Sequence, residues 1–220
     1  MNYTSLVSQI QAFLEDDSTE LQASIDDIII QAESMIFQRL PSLPCFRKTS
    51  IRNLATSQPE YTIADARMIR QVAYVEYSAT SNGAKTYLDH RVDSYLRDYL
   101  PTPNTYDSLQ TPQFYSTKNA TTSGIIITIA PAPFIQASDA ENQLEVDFIA
   151  PETGLSSSNA NTWIGDNAEA VLLPAALYET SSFLKASETL QLYKAQFDEA
   201  IALFQQEMSR NYTAEYNAGI

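Results

Sequence analysis

The hydrophobic period changes twice along this chain, and that change constrains the fold more than any single motif. Apolar residues recur at three- and four-residue spacing from Thr4 to Glu15, with Leu6, Ile10, Phe13 and Leu14 on one side. The same spacing returns from Thr19 to Leu40, through Leu21, Ile25, Ile28, Ile29, Ala32, Ile36 and Leu40. Two helices are therefore expected, broken at Asp16-Asp17-Ser18, with Asp17 and Glu20 as a capping box and Pro41 and Pro44 as the stop. From Phe46 to about Ala150 the pattern turns to alternation, rich in β-branched and aromatic residues. Strands are expected over Arg47–Leu54, Tyr61–Ile63, Met68–Tyr77, Gln113–Thr117, Gly124–Ala130 and Gln143–Ile149. Ser81-Asn82-Gly83 is a turn signal, and Tyr87 to Arg97 has helical spacing. The run Ile125-Ile126-Ile127 places its strand centrally in a sheet or under a helix.

Helical period then resumes. Trp163-Ile164-Gly165-Asp166-Asn167-Ala168-Glu169 reads as a helix entry, with Asp166 as N-cap and Glu169 three residues on. This helix should run to about Lys185, kinked at Pro174. Another should run from Ser187 to about Met208, with Leu190, Tyr193, Phe197, Ile201 and Phe204 in one stripe. Residues 209–220 show no period and are expected to be a mobile tail.

Neither terminal helix pair can hide its apolar stripe alone, so the two ends should pack together. The expected class is α+β: a helical bundle formed from both chain ends with an inserted antiparallel β domain. The expected division is 1–45 with 156–208 for the bundle, 46–155 for the β-rich insert and 209–220 for a flexible C-terminal docking tail.

Charge narrows the function. The formal net charge is −14, from 13 Lys and Arg against 27 Asp and Glu. Residues 1–45 carry −6, 46–100 carry +2, and 101–165 and 166–220 carry −5 each. Gripping nucleic acid through its phosphates needs clustered Lys and Arg, which this balance does not offer. A wall of acid instead repels a DNA backbone and keeps it from sticking. No apolar run approaches the ~18 residues of a membrane span. The first residues, MNYTSLVSQIQ, lack a signal-peptide pattern.

Catalytic constellations are missing from the sequence. There is one Cys (Cys45) and one His (His90), so neither a disulfide framework nor a multi-histidine metal cage can form within the chain. With five glycines, the phosphate-loop and dinucleotide fingerprints are absent, as are H-E-x-x-H and G-x-S-x-G. Cys45 reads as a small core residue and His90 as an exposed one. Asp26 and Asp27 are adjacent on a helix and point about 100° apart, too divergent to chelate. Glu145 and Asp147 share a strand face, which reads as wetted rather than cation-binding. No catalytic residue, metal or cofactor is expected. Arg47, Lys48 and Arg52 are partner-contact candidates on a strand edge, and Trp163 is a core or interface anchor. Thirteen Tyr and nine Phe suit a protein that holds neighbours.

The order of these signals resembles the head-to-tail adaptor proteins of short-tailed phages, also called head–tail connectors or tail tubular protein A. The resemblance covers roughly residues 1–208. It rests on Tyr3-Thr4-Ser5-Leu6-Val7, on Ile29-Ile30-Gln31-Ala32-Glu33 with Ile36-Phe37-Gln38-Arg39-Leu40, and on Cys45-Phe46-Arg47-Lys48. It continues through Thr111-Pro112-Gln113-Phe114-Tyr115 and Ile127-Thr128-Ile129-Ala130-Pro131-Ala132-Pro133. The most specific segment is Thr162-Trp163-Ile164-Gly165-Asp166-Asn167-Ala168-Glu169, followed by Leu172-Leu173, Ala176-Leu177 and Phe183-Leu184-Lys185. Pro174-Ala175 departs from a family pattern that often has Gly there, and the tail after Met208 has no counterpart.

The resemblance implies a structural virion protein, not an enzyme. It would form a ring of about twelve subunits at the head–tail junction, made in the host cytoplasm. The portal protein would lie on one side, and the tail nozzle, with or without fibres, on the other. Genomic DNA would pass through without specific binding. Acids of the helices, Asp26, Asp27, Glu33, Glu188, Glu199 and Glu207, are candidates to line that channel. Arg210, Tyr212 and Tyr216 in the tail are candidates to dock into the portal, and loops near 80–84 and 101–110 to meet the nozzle. A carbohydrate-binding or hydrolytic module with a small β core is the alternative; its discriminator is a stable monomer with sugar affinity. A DNA mimic is disfavoured by the 18 % share of charged residues.

Overall fold

The computed structural model describes residues 1–77, 83–99, 111–120, 123–133 and 142–218. Two compact units divide the chain. One joins residues 1–46 to 151–220, and the other is 47–150. Both chain ends thus fold together around an insertion, five residues shorter at its C-terminal side than alternation suggested.

The helical unit contains α1 (Tyr3–Leu14), α2 (Thr19–Arg39), a short 3-10 turn (Pro44–Phe46), α4 (Trp163–Asn167), α5 (Glu169–Phe183) and α6 (Ser187–Ala218). Helix α5 is its axis, with α1, α2 and α6 each packed on it. This explains why α5 is apolar nearly all round: Val171, Leu172, Ala175, Ala176 and Leu177 are all buried. Pro174 lies inside α5, yet the helix runs on to Phe183. The α2 stripe buries Leu21, Ile25, Ile28, Ile29, Ala32 and Ile36 as its spacing required. Both cap assignments move. Ser18, not Asp17, caps α2 by accepting from the Leu21 N–H. The helix expected from Asp166 to about Lys185 is divided at Ala168: Thr162 caps the short α4 by accepting from the Gly165 N–H, Asp166 lies inside α4, and α5 starts after Ala168 with no side-chain cap. In each case a hydroxyl residue sits directly before the first helical residue, which is where the orphan N–H groups converge. Helix α6 does not stop near Met208; it continues to Ala218, so most of the segment expected to be a flexible tail has helical backbone.

The inserted unit holds β1 (Arg47–Asn53), β2 (Glu60–Ile63), β3 (Met68–Glu76), β4 (Ala84–Tyr87), β5 (Asp89–His90), α3 (Asp93–Tyr99), β6 (Phe114–Asn119), β7 (Ile125–Ala130) and β8 (Gln143–Ile149). They form two four-stranded sheets, ordered β1-β8-β3-β4 and β2-β7-β6-β5. One core lies between them, with Val72, Tyr74, Leu144, Val146 and Phe148 from the first sheet and Tyr61, Ile63, Ile125, Ile127 and Ile129 from the second. The isoleucine run occupies an interior strand, β7, flanked by β2 and β6. Pairing is antiparallel except for β5 with β6, a short parallel bridge. That bridge overrides the helical spacing read from Tyr87 to Arg97: Leu88 donates to Val72 and Asp89 to Gln113, so helix begins only at Asp93. At the expected turn, Gly83 has φ 86°, which suits glycine. Residues 81–82 and the loop 101–110 lie outside the described residues.

Candidate functional site

His90 and Cys45 belong to different units of the chain. His90 is exposed, its ring edge-on to Tyr115 with centroids 5.1 Å apart. Cys45 is half-buried in the 3-10 turn of the helical unit, whereas His90 belongs to the inserted unit. Among the described residues there is no group of three or more His, Cys, Asp or Glu able to hold a metal ion. Glu145 and Asp147 are engaged in the sheet: Glu145 takes Lys85 at 2.6 Å and Asp147 accepts from the Thr49 hydroxyl at 2.6 Å. That ion pair holds the Lys85 ammonium above its usual range.

The acids expected in a channel separate into three situations. Glu33 is 8 % exposed and cannot line a channel; this corrects its assignment. Its place between Ile29 and Ile36 puts it inside the apolar stripe of α2, which is the signal that could have shown its burial. Both its carboxylate oxygens accept from the Leu155 N–H at 3.1 Å. Gly154 permits this close approach, because a Cβ there would collide with Oε2 of Glu33. Burial pushes the Glu33 carboxyl up to about 7, the Leu155 N–H opposes that rise, and the charge of Glu152 adds to it. Asp26 is half-buried and accepts from the Tyr3 hydroxyl at 2.5 Å, tying α1 to α2. Burial, with that hydrogen bond second, lifts the Tyr3 phenol to about 12, so the donor keeps its proton. Asp27, Glu188, Glu199 and Glu207 are exposed.

The residues expected to meet partners also divide. Trp163 is half-buried at the start of α4, and its backbone N–H donates to Glu152 at 3.1 Å. Arg47, Lys48 and Arg52 lie on β1, an edge strand. Arg47 and Lys48 join Thr49, Arg70, Gln71, Asp147 and Phe148 around a groove of about 540 Å³. Arg70 belongs to it because the β3–β8 register slips between Ile69 and Gln71. Arg210, Tyr212 and Tyr216 lie on the last turns of α6, and Arg210 is exposed.

Sequence reading missed one surface. Leu192 and Leu203 are 54 % and 60 % exposed on α6. Their eleven-residue separation is three helical turns, so they share one side of the helix, and that spacing was visible without coordinates. Charge is equally segregated: the helical unit carries −12 and the inserted unit −2.

The exposed leucines of α6 and the groove beside β1 are surfaces of the kind that meet neighbours. No helix among the described residues is long and apolar enough to cross a membrane. No curated protein matches the chain. A family model described as SU10 adaptor protein matches residues 1–218, across both units. The chain belongs to the SU10 adaptor protein family, and it is a phage structural adaptor, a component of the virion.

Proposed function

We propose that this chain is a head-to-tail adaptor whose copies close into a ring between portal and tail nozzle. The observation that carries the reading is the set of large apolar side chains that the helical unit leaves in water, with Phe13, Ile30, Leu192 and Leu203 all more than half exposed. A solitary subunit leaves these side chains in water, and contact with sister copies removes them from it. Two different faces must meet at each junction for such an assembly to close. Asp27 and Glu207 remain the acids proposed to face the genome, where like charge lets DNA pass without a binding well. The last turns of α6, with Arg210, Tyr212 and Tyr216, are proposed to engage the portal.

Imaging of the purified full chain by electron microscopy, alone and with its portal, tests this. Closed rings, about twelve-fold, are expected in at least the second sample. Single subunits in both samples would overturn the reading, and measurable affinity of such monomers for a carbohydrate would favour the alternative.

A further inference from the structure

The segment 151–162 joins β8 to α4 without regular structure, yet Leu155 within it is fully buried. The segment is knit to itself. Asn159 donates through Nδ2 to the carbonyls of Thr153 and Gly154, and the backbones of Ser156 and Asn159 exchange hydrogen bonds. Its ties to the helices include the Tyr3 N–H on the Ala160 carbonyl and the Trp163 N–H on Oε1 of Glu152. Its tie to α2 is the Leu155 N–H, shared at 3.1 Å between the two oxygens of Glu33.

The polar groups at this tie do not balance. Two carboxylates, Glu33 and Glu152, meet the segment, and among the described residues no ion pair engages either. A single backbone N–H serves both oxygens of Glu33. Oε2 of Glu152 is buried and accepts from no donor. A buried acceptor without a donor is costly, and so is a pair of buried anions without a cation. One proton removes both faults: it cancels a charge, and its O–H is a donor for the orphaned oxygen.

The surrounding groups supply no other remedy. The charged groups of α2 besides Glu33 include Asp26, Asp27 and Arg39, and Arg39 pairs with Asp198 of α6. Helix α5, which packs on α2, offers Glu169, Tyr178 and Glu179. Tyr3 of α1 is spent on Asp26, and α4 contributes Asp166. The charge that acts on Glu33 is that of Glu152, and it raises the carboxyl in the same direction as burial.

We propose that Glu33 and Glu152 share one proton, carried by Glu33 and donated to Oε2 of Glu152, and that this proton clasps segment 151–162 to α2. Its loss leaves two anions at one buried segment. The self-knit segment then lifts as a unit and uncovers Leu155. The clasp is closed in acid and loosens as pH rises past neutrality, because the native state holds a proton that the opened state releases. The device goes beyond the adaptor reading and does not depend on it.

Hydrogen–deuterium exchange of the full chain, read by mass spectrometry on peptides covering 151–162 and corrected for intrinsic exchange, tests the clasp. Wild type should lose protection there about tenfold or more between pH 5.5 and 8, measured against peptides of β7 and β8. Glu33→Gln sets an amide N–H where the proton sat, so protection should be high at both pH values. Glu33→Ala should leave it low at both. Glu152→Gln replaces the neighbouring charge with a neutral donor and should shrink the wild-type loss to about threefold or less. Equal wild-type protection at both pH values would overturn the clasp. A Glu152→Gln profile identical to that of wild type would mean that Glu33 titrates alone, and would overturn the shared proton.

Discussion

Replacing Glu33 with Gln should make the helical unit more stable at pH 8 and leave it nearly unchanged at pH 4. The carboxyl is 8 % exposed and receives one backbone N–H, from Leu155. Burial raises it from 4.5 to about 7. The native state therefore keeps a proton between pH 4.5 and 7 that the unfolded chain has released. Where the native state binds more protons, stability falls as pH rises. The contribution is complete below about 4.5 and lost as pH climbs through 7. A rise of roughly 2.5 units at 1.36 kcal/mol each is a destabilisation on the order of 3 kcal/mol at pH 8. Gln carries no charge to desolvate, and its carbonyl can still accept from Leu155. The gain should be close to that figure, because the rise to about 7 already includes the opposing Leu155 hydrogen bond.

The chain reports this event itself. Trp163 is the only tryptophan, and its backbone N–H donates to Glu152, whose charge acts on Glu33. Urea unfolding followed by Trp163 fluorescence at pH 4.5, 6 and 8 isolates the helical unit from the inserted one. Wild type should lose stability across this range. Glu33→Gln should flatten the profile, apart from a residual slope from Glu179, also raised by burial. A flat wild-type profile, or a Gln variant no more stable than wild type at pH 8, would refute the reasoning.

Other outcomes follow from the same structure. Thr162→Ala removes the hydroxyl that caps α4 and should cost about 1 kcal/mol, whereas Asp166→Asn should cost a few tenths at most; thermal unfolding compares them. Phe197→Ala, 3 % exposed on α6, should cost about 3–5 kcal/mol, while Leu203→Ala on the opposite side should leave unfolding within about 0.5 kcal/mol of wild type. Gly124→Ala should destabilise the inserted unit by at least about 1 kcal/mol, since φ is 96° and a Cβ would collide with the Ile63 carbonyl; denaturant midpoints show it. Deleting residues 209–220 should leave ring formation intact and weaken portal attachment, measured by co-sedimentation with the portal; unchanged attachment would refute the docking role.

Period was the most legible property of this sequence. The strands over Arg47–Asn53 and Gln143–Ile149 and the stripe of α2 stand where alternation and three-four spacing put them, because burying one face fixes the register. Local chemistry was less legible. Asp17 and Asp166 look like caps, but Ser18 and Thr162 occupy the position whose oxygen meets the orphan N–H groups. The β5–β6 bridge was invisible, since two residues recruited by a distant strand leave no periodic trace. Of the candidate surfaces, the arginines of β1 were readable as an edge. Glu33 departs from the expectation that an acid is solvated, because its phase on α2 is that of a core residue.

The division of charge bears on what kind of assembly these surfaces permit. A helical unit at −12 and an inserted unit at −2 make the two possible pairings unequal. An isologous dimer through the helical units would bring two strongly acidic surfaces together, with Glu188 and Glu199 of each facing their own kind. Salt weakens that repulsion without abolishing it where apolar contact excludes water, as Leu192 and Leu203 would require. Pairing the helical unit of one copy with the inserted unit of another would avoid the clash and leave one unused face of each sort on the pair. Under the proposed ring reading, such pairing would extend head to tail until geometry closes it. On that same reading, the acid of the helical unit would act on specificity, by disfavouring the two-fold dimer as a competitor of the closed assembly.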